Sequence, residues 1–161
     1  MAAAALQIVC ALLYANLGEW LMHKYLLHGL GKKPGSIWAY HWYEHHRVCA
    51  EHGMLDPGYR SLKWSWNAQT KELVVLAAIV ALHMPLFFYV PFFAAGLYAA
   101  LALYYYKHRR AHLDPEWAKR HLIWHYQHHL RAGNGNWCVT WPWCDYLFGS
   151  RIKSPEGPAD H

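Results

Sequence analysis

Two long stretches of the chain carry no Asp, Glu, Lys or Arg: residues 1–18, and the 34-residue run from Leu73 to Tyr106. A bilayer core of roughly 30 Å takes about 20 helical residues at 1.5 Å each, so the first stretch together with Glu19–Met22 predicts one membrane-crossing helix. The second run is too long for a single crossing. Pro85 and Pro91 bracket its middle, where proline cannot continue a helix interior, and the pattern predicts a hairpin of two short helices, about 71–84 and 92–112. Each arm is near the lower limit for spanning, so a thinned bilayer or a shallow turn is expected. Their length without one charge favours membrane burial over the core hairpin of a soluble protein.

The basic residues orient this framework. All 15 Lys and Arg fall in 24–71 or 107–153, while the N-terminus and the 85–91 turn have none. Positive segments stay on the cytoplasmic side, which predicts three crossings with the N-terminus outside: across 2–22, 71–84 and 92–106. A cleaved signal peptide fits poorly, because a positive n-region is missing and cleavage would export every basic segment. The tryptophans run from Trp20 to Trp143 with none inside 73–106, the pattern of an interfacial aromatic belt. The net charge of +5 is explained by anionic headgroups beside these segments, and nothing resembles a nucleic-acid platform. The expected architecture is therefore an all-α integral membrane protein of about three short crossings with a helical cytoplasmic cap. It forms one domain over 1–153, followed by a disordered tail from Ser154 to His161.

Ten of the 14 histidines change the picture from anchor to chemistry. They fall into four tight groups just past the apolar stretches: His23 and His28; His41, His45 and His46; His108 and His112; His125, His128 and His129. Neutral imidazole is the commonest metal ligand, and four such groups on one membrane face are hard to explain by packing, so more than one bound ion is expected. Positions four apart share a helix face, which pairs His41 with His45, His108 with His112 and His125 with His129; His125, His128 and His129 span about 100° and present three nitrogens to one cavity. His23 and His28 lie about 140° apart on a regular helix, so they need a bent helix end or two different ions. Gly29 and Gly31 are expected to end that helix right after His28.

Carboxylates are sparse. Glu19, four residues before His23 within a membrane segment, is expected to take the other ring N–H of His23 or of a neighbouring ligand; Glu44 and Asp145 are further outer partners, and His121, four before His125, is a candidate for the metal sphere. His52, His83 and His161 need no metal. Cys10, Cys49, Cys138 and Cys144 make no C-x-x-C pair, and three lie on the reducing side, so they read as structural thiols.

The histidine order H-x4-H, H-x3-H-H, H-x3-H and H-x2-H-H resembles the signature of the fatty acid hydroxylase and sterol desaturase superfamily over about residues 17–151. Asn136-Trp137-Cys138-Val139-Thr140 and Asp145-Tyr146-Leu147-Phe148-Gly149-Ser150 are similar to its closing N-x-G-x-T and D-x-x-F-G-T, with Cys138 in place of Gly and Ser150 in place of Thr. The small carotenoid ring hydroxylases share a segment like His23-Lys24-Tyr25-Leu26-Leu27-His28-Gly29. The resemblance implies a membrane monooxygenase with two irons held by the ten histidines, O2 as co-substrate and a lipid as substrate: fatty acyl, sterol or related, with carotenoid hydroxylation or desaturation as alternatives. Zinc can occupy the same ligands, since imidazole suits iron, zinc and copper alike. Electrons would come from a cytochrome b5-, ferredoxin- or rubredoxin-like donor, because no G-x-G-x-x-G fingerprint occurs; Arg109, Arg110, Lys119, Arg120 and Arg131 offer a basic surface for one. The site would face the cytoplasm of a bacterial inner membrane or of the endoplasmic reticulum. A zinc-stapled structural protein or a metal carrier remains the non-enzyme alternative.

Overall fold

The computed structural model describes residues 1–61, 65–132 and 134–153, and among these the regular secondary structure is all helical, with no strand. The tail from Ser154 lies outside the described residues. The first helix, α1 (Ala2–Leu21), runs on without a break into a π-helical segment, Met22–Leu30. It therefore ends two residues later than the glycines alone imply, with the Gly31 N–H bonded to Leu26 O five residues back at 2.9 Å. Gly31 is required there: a Cβ would lie 1.9 Å from the carbonyl oxygen of Leu27 and 2.9 Å from that of Trp38. A second π-helical segment, His41–His46, leads into the short α2 (Arg47–Glu51).

The apolar run forms the expected hairpin. Helix α3 (Ala68–His83) starts where Asn67 Oδ1 accepts the Thr70 N–H at 2.9 Å, a side-chain cap for one of the first-turn donors. A 3-10 turn, Met84–Phe88, carries Pro85, and α4 (Pro91–Leu113) begins on its own proline, whose missing N–H costs nothing in a first turn. Asp114 then caps α5 (Pro115–His121) through the Trp117 N–H at 3.0 Å. The chain continues through α6 (Ile123–Gln127), a third π-helical segment (His128–Ala132), an irregular stretch and α7 (Trp143–Leu147).

Helices α1 and α4 form the closest pair because small residues face each other. Ala11 and Ala94 are fully buried, and a Cβ on Gly96 would come 3.0 Å from Ala11 Cβ. The buried Asn16 ties α1 to the C-terminal stretch, donating to Trp141 O at 2.8 Å and accepting from the Cys144 N–H at 3.2 Å. Below the long helices a small core of Met54, Ala111, Ala118, Leu122 and Val139 supports the cap.

Two helical stretches, Ala2–Leu30 and Ala68–Phe88, are long and apolar enough to cross a membrane. Only 11% and 6% of their most apolar windows is buried, and large side chains such as Leu6, Leu82 and Phe88 point outward. A helix in the core of a soluble protein would hide that surface.

Candidate metal centre

All ten histidines of the four sequence groups are buried in the cap, where the ends of α1 and α4 meet the three π-helical segments. Their nitrogens gather into adjoining clusters. His23, His28, His41, His46 and His128 form one; His45, His112 and His129 with Cys49, and His108, His112, His125 and His129, form two that share His112 and His129, each group with its ligand atoms within 4.8 Å of one another. The first cluster meets the others where the His46 and His129 rings stack at 4.2 Å.

The π-helical turns decide this sorting. A π-helix closes i→i+5 hydrogen bonds, so residues five apart return to one side, and such turns are concentrated at functional sites. That answers the spacing of His23 and His28, which stay in one cluster. The first two π segments lie side by side in register: His23 Nε2 is 3.1 Å from His41 Nε2, and His28 Nε2 is 3.0 Å from His46 Nε2. The same turn corrects the pairing of His41 with His45. His41 goes with His46, five residues on, and His45 joins the neighbouring cluster. Likewise His125, His128 and His129 do not share one cavity, since His128 enters the first cluster and the other two the second.

Outer partners fix which nitrogen faces inward. The Nδ1 of His23 meets Trp137 O, that of His128 meets Gly135 O at 2.7 Å, and that of His112 meets Met54 O at 3.0 Å. A carbonyl only accepts, so each Nδ1 carries the proton and each neutral ring keeps its lone pair on Nε2. His45 Nδ1 faces Asp56 at 3.1 Å and His108 Nδ1 faces Glu72 at 2.7 Å, so in both rings Nδ1 carries a proton and Nε2 is the nitrogen turned inward. Glu72 also accepts from Tyr59 Oη at 2.6 Å.

The Nε2 atoms of His108 and His112 stand 3.1 Å apart, and the one on His112 turns its lone pair inward. Two ligand nitrogens about 2.1 Å from a common ion at a right angle would lie about 3.0 Å apart. Among the described residues, His45 Nε2, His125 Nδ1 and both ring nitrogens of His129 have no hydrogen-bond partner although buried. The donor set therefore fits bound cations.

Burial lowers the pKa of His41, His45, His46, His125 and His129, and brings that of His128 to about 4, with the Gly135 carbonyl and, for His45, Asp56 acting against it. These rings stay neutral at pH 7, the form in which imidazole can bind a metal. The folded pKa lies below the unfolded 6.5, so the unfolded chain binds more protons under acid and stability falls as pH drops from about 6.5 toward about 4. The thermal midpoint of metal-free protein in detergent is expected to fall by about 5 °C or more between pH 7 and pH 5. A midpoint independent of pH over that range would mean that these rings are not held neutral.

The outer candidates mostly act elsewhere. Glu19 does not touch His23; its Oε1 accepts the N–H groups of Val139 and, at 3.0 Å, Thr140, and its Oε2 accepts Thr140 Oγ1 at 2.6 Å. Asp145, fully buried, accepts the N–H groups of Trp137 at 2.8 Å and Cys138 at 2.9 Å. The two carboxylates thus hold four consecutive N–H groups of 137–140, and the carbonyls of Trp137, within this stretch, and of Gly135, just before it, orient His23 and His128. Glu44 pairs with Lys71 at 2.6 Å and reaches no histidine, while His121 is exposed and lies against Trp117 at 5.2 Å, outside the clusters.

Sequence reasoning missed Glu72, Asp56 and Cys49. Asp56 sits in a loop eleven residues after its histidine, and Glu72 reaches His108 only through the packing of α3 on α4, so no local spacing marked either. Cys49, four residues after His45 on the continuing helix, carries a faint signal; its Sγ is 3.4 Å from His112 Nδ1, and burial pushes its pKa up, keeping it a thiol behind the ligand rings.

An apolar cavity of about 360 Å³ opens between α1, α3 and α4 and runs down to His23, Glu19 and Glu72. Compared with known protein families, characterised proteins and solved structures, the chain matches none.

Proposed function

We propose that this chain is a membrane-embedded di-iron monooxygenase that hydroxylates an unactivated C–H bond of a lipid, in the manner of the fatty acid hydroxylase and sterol desaturase superfamily that its histidine order resembles. The observation that carries the reading is the meeting of two features: adjoining clusters of buried imidazoles, and an apolar cavity that leads from the long helices to His23. In this reading α1 and both arms of the hairpin cross the bilayer, the third crossing being the apolar part of α4. The basic segments face the cytoplasm.

His23, His28, His41, His46 and His128 would hold one ion, and His45, His108, His112, His125 and His129 the other. Bound iron would supply what no side chain here can, O2-dependent attack on a C–H bond that has neither an acidic proton nor a leaving group. The chain's own contribution is position and dryness. Trp137 O, Gly135 O, Met54 O, Asp56 and Glu72 hold the rings with Nε2 inward, which fixes orientation and raises ligand basicity. Leu76, Leu97 and Leu101 line the path from the helices, so a lipid chain reaches the site without crossing water. An external one-electron donor of acidic surface would dock on the exposed basic residues Lys119 and Arg120 of α5.

The all-imidazole ligand set equally admits zinc, which favours the structural reading as second choice. The test is chemical. Lipids extracted from cells expressing the protein under isotopically labelled O2 are expected to contain a labelled hydroxyl that control cells lack, and activity should follow iron rather than zinc. Iron-loaded, reduced protein giving no labelled product across fatty acyl, sterol and carotenoid substrates would leave the structural reading standing.

A further inference from the structure

The cavity has a polar far end. Along α1 it extends from His23 back to Tyr14, nine residues or about 13 Å, and along α3 from Glu72 to His83, eleven residues or about 16 Å. Between these ends its walls are mostly apolar, with Leu76, Ile79, Leu97 and Leu101 among them and Asn16 as a polar exception. At the far end Tyr14 Oη and His83 Nε2 are 3.0 Å apart. The two residues come from different helices, and both line the cavity.

The polarity of this pair is fixed. His83 Nδ1 lies 2.8 Å from Ile79 O, a carbonyl that only accepts, so Nδ1 carries the proton and Nε2 is the acceptor. The Tyr14 O–H therefore donates its hydrogen bond to His83 Nε2, and the hydroxyl oxygen is left with acceptor capacity only. A ligand group that donates, such as a hydroxyl, gains a hydrogen bond at this end without breaking the existing one. An acceptor-only group, such as an ether or ketone, gains one only by displacing His83.

We propose that Tyr14 and His83 form a hydroxyl-recognising subsite, so that the ligand of this cavity is an apolar alcohol. Its hydroxyl lies at the far end and the carbon presented to the histidines lies about 13–16 Å away along its body. The inference rests on reading the cavity as the substrate site, and it adds the end group and the distance. A volume of about 360 Å³ is within the usual range for small-ligand pockets and suits a single extended chain or a slim ring system. Because the pair is already satisfied without ligand, its selectivity comes from one added hydrogen bond and is modest, unlike a site whose buried polar groups are stranded by the wrong ligand.

The experiment is equilibrium binding of three labelled probes of comparable extended length, dodecanol, dodecane and methyl undecyl ether, to the full chain in lipid nanodiscs with its metal as isolated. Dodecanol is expected to bind roughly tenfold more tightly than either of the others, the worth of one hydrogen bond. In Tyr14→Phe the preference should vanish while dodecane binding is unchanged. In His83→Leu the freed tyrosine proton turns outward, and the ether should rise to match the alcohol. Metal content equal to that of the parent reports that each variant is folded. Equal binding of all three probes, or an alcohol preference that survives Tyr14→Phe, overturns the proposal. Binding requires neither O2 nor reductant, so alcohol selectivity without oxygenation would sink the oxygenase reading and leave this one intact, while oxygenation indifferent to the end group would do the reverse.

Discussion

Replacing His128 by Ala is expected to leave one bound ion in place of two and to abolish turnover. The His128 Nε2 lies 3.0 Å from that of His28 and 3.2 Å from that of His46, at the centre of the first cluster. Its lone pair is directed there by the Gly135 carbonyl on the opposite side of the ring, and burial lowers its pKa to about 4, so the ring is neutral at pH 7 and able to act as a ligand. Alanine removes that nitrogen from a buried group, and the two other groups, neither of which contains His128, are expected to keep the remaining ion. His112→Ala should give the complementary result, since His112 belongs only to the groups on the other side of the His46–His129 stack. Elemental analysis of purified variants, set beside formation of the labelled hydroxyl proposed for the parent, measures both. Two ions and parental turnover in His128→Ala would exclude the first cluster as a metal site.

Glu19 separates two roles by the choice of replacement. A carboxylate that oriented His23 would be poorly replaced by glutamine, with metal affinity or activity falling by roughly 10–100-fold. The observed contacts give a different expectation. In Glu19→Gln the remaining carbonyl oxygen accepts the Val139 and Thr140 N–H groups, and the new amide donates to Thr140 Oγ1, so activity should stay within a few-fold of the parent. In Glu19→Ala both N–H groups lose their acceptor, in a stretch where Val139 and Thr140 are almost wholly buried. Each stranded donor costs about 1–3 kcal/mol, so the variant should lose about 2–6 kcal/mol of stability and, as the 135–140 stretch shifts, its hold on His23 and His128. Thermal midpoints and metal content of the two variants decide the matter. A glutamine variant as damaged as the alanine one would show that the negative charge itself is what the site needs.

Much of this was legible because it is written in local pattern. The charge-free runs and the prolines at 85 and 91 set the three long helices to within a few residues, since burial of apolar length and the missing proline N–H act on the chain wherever it packs. The ten histidines were legible by residue type, because no packing requirement would put so many imidazoles just beyond apolar helices. What failed was the helical phase. An α-helical spacing of four was assumed for His41 and His45, yet the segment is π-helical, and nothing in His-Trp-Tyr-Glu-His-His distinguishes the two periods; the register against Met22–Leu30 selects the wider turn.

The amino-acid sequence by itself determined that the chain is helical, that its long helices are apolar, and that ten histidines follow them. Hydrophobic length and side-chain chemistry belong to single residues and short runs. Tertiary structure alone decided which histidines share a cluster and what stands behind each ring. Glu72 reaches His108 from another helix, Asp56 reaches His45 from a loop, and Glu19 and Asp145 act on the backbone of 137–140 rather than on any imidazole. Those partnerships join residues up to 121 positions apart, and a hydrogen bond is fixed by distance in space, which the order of residues along the chain does not carry.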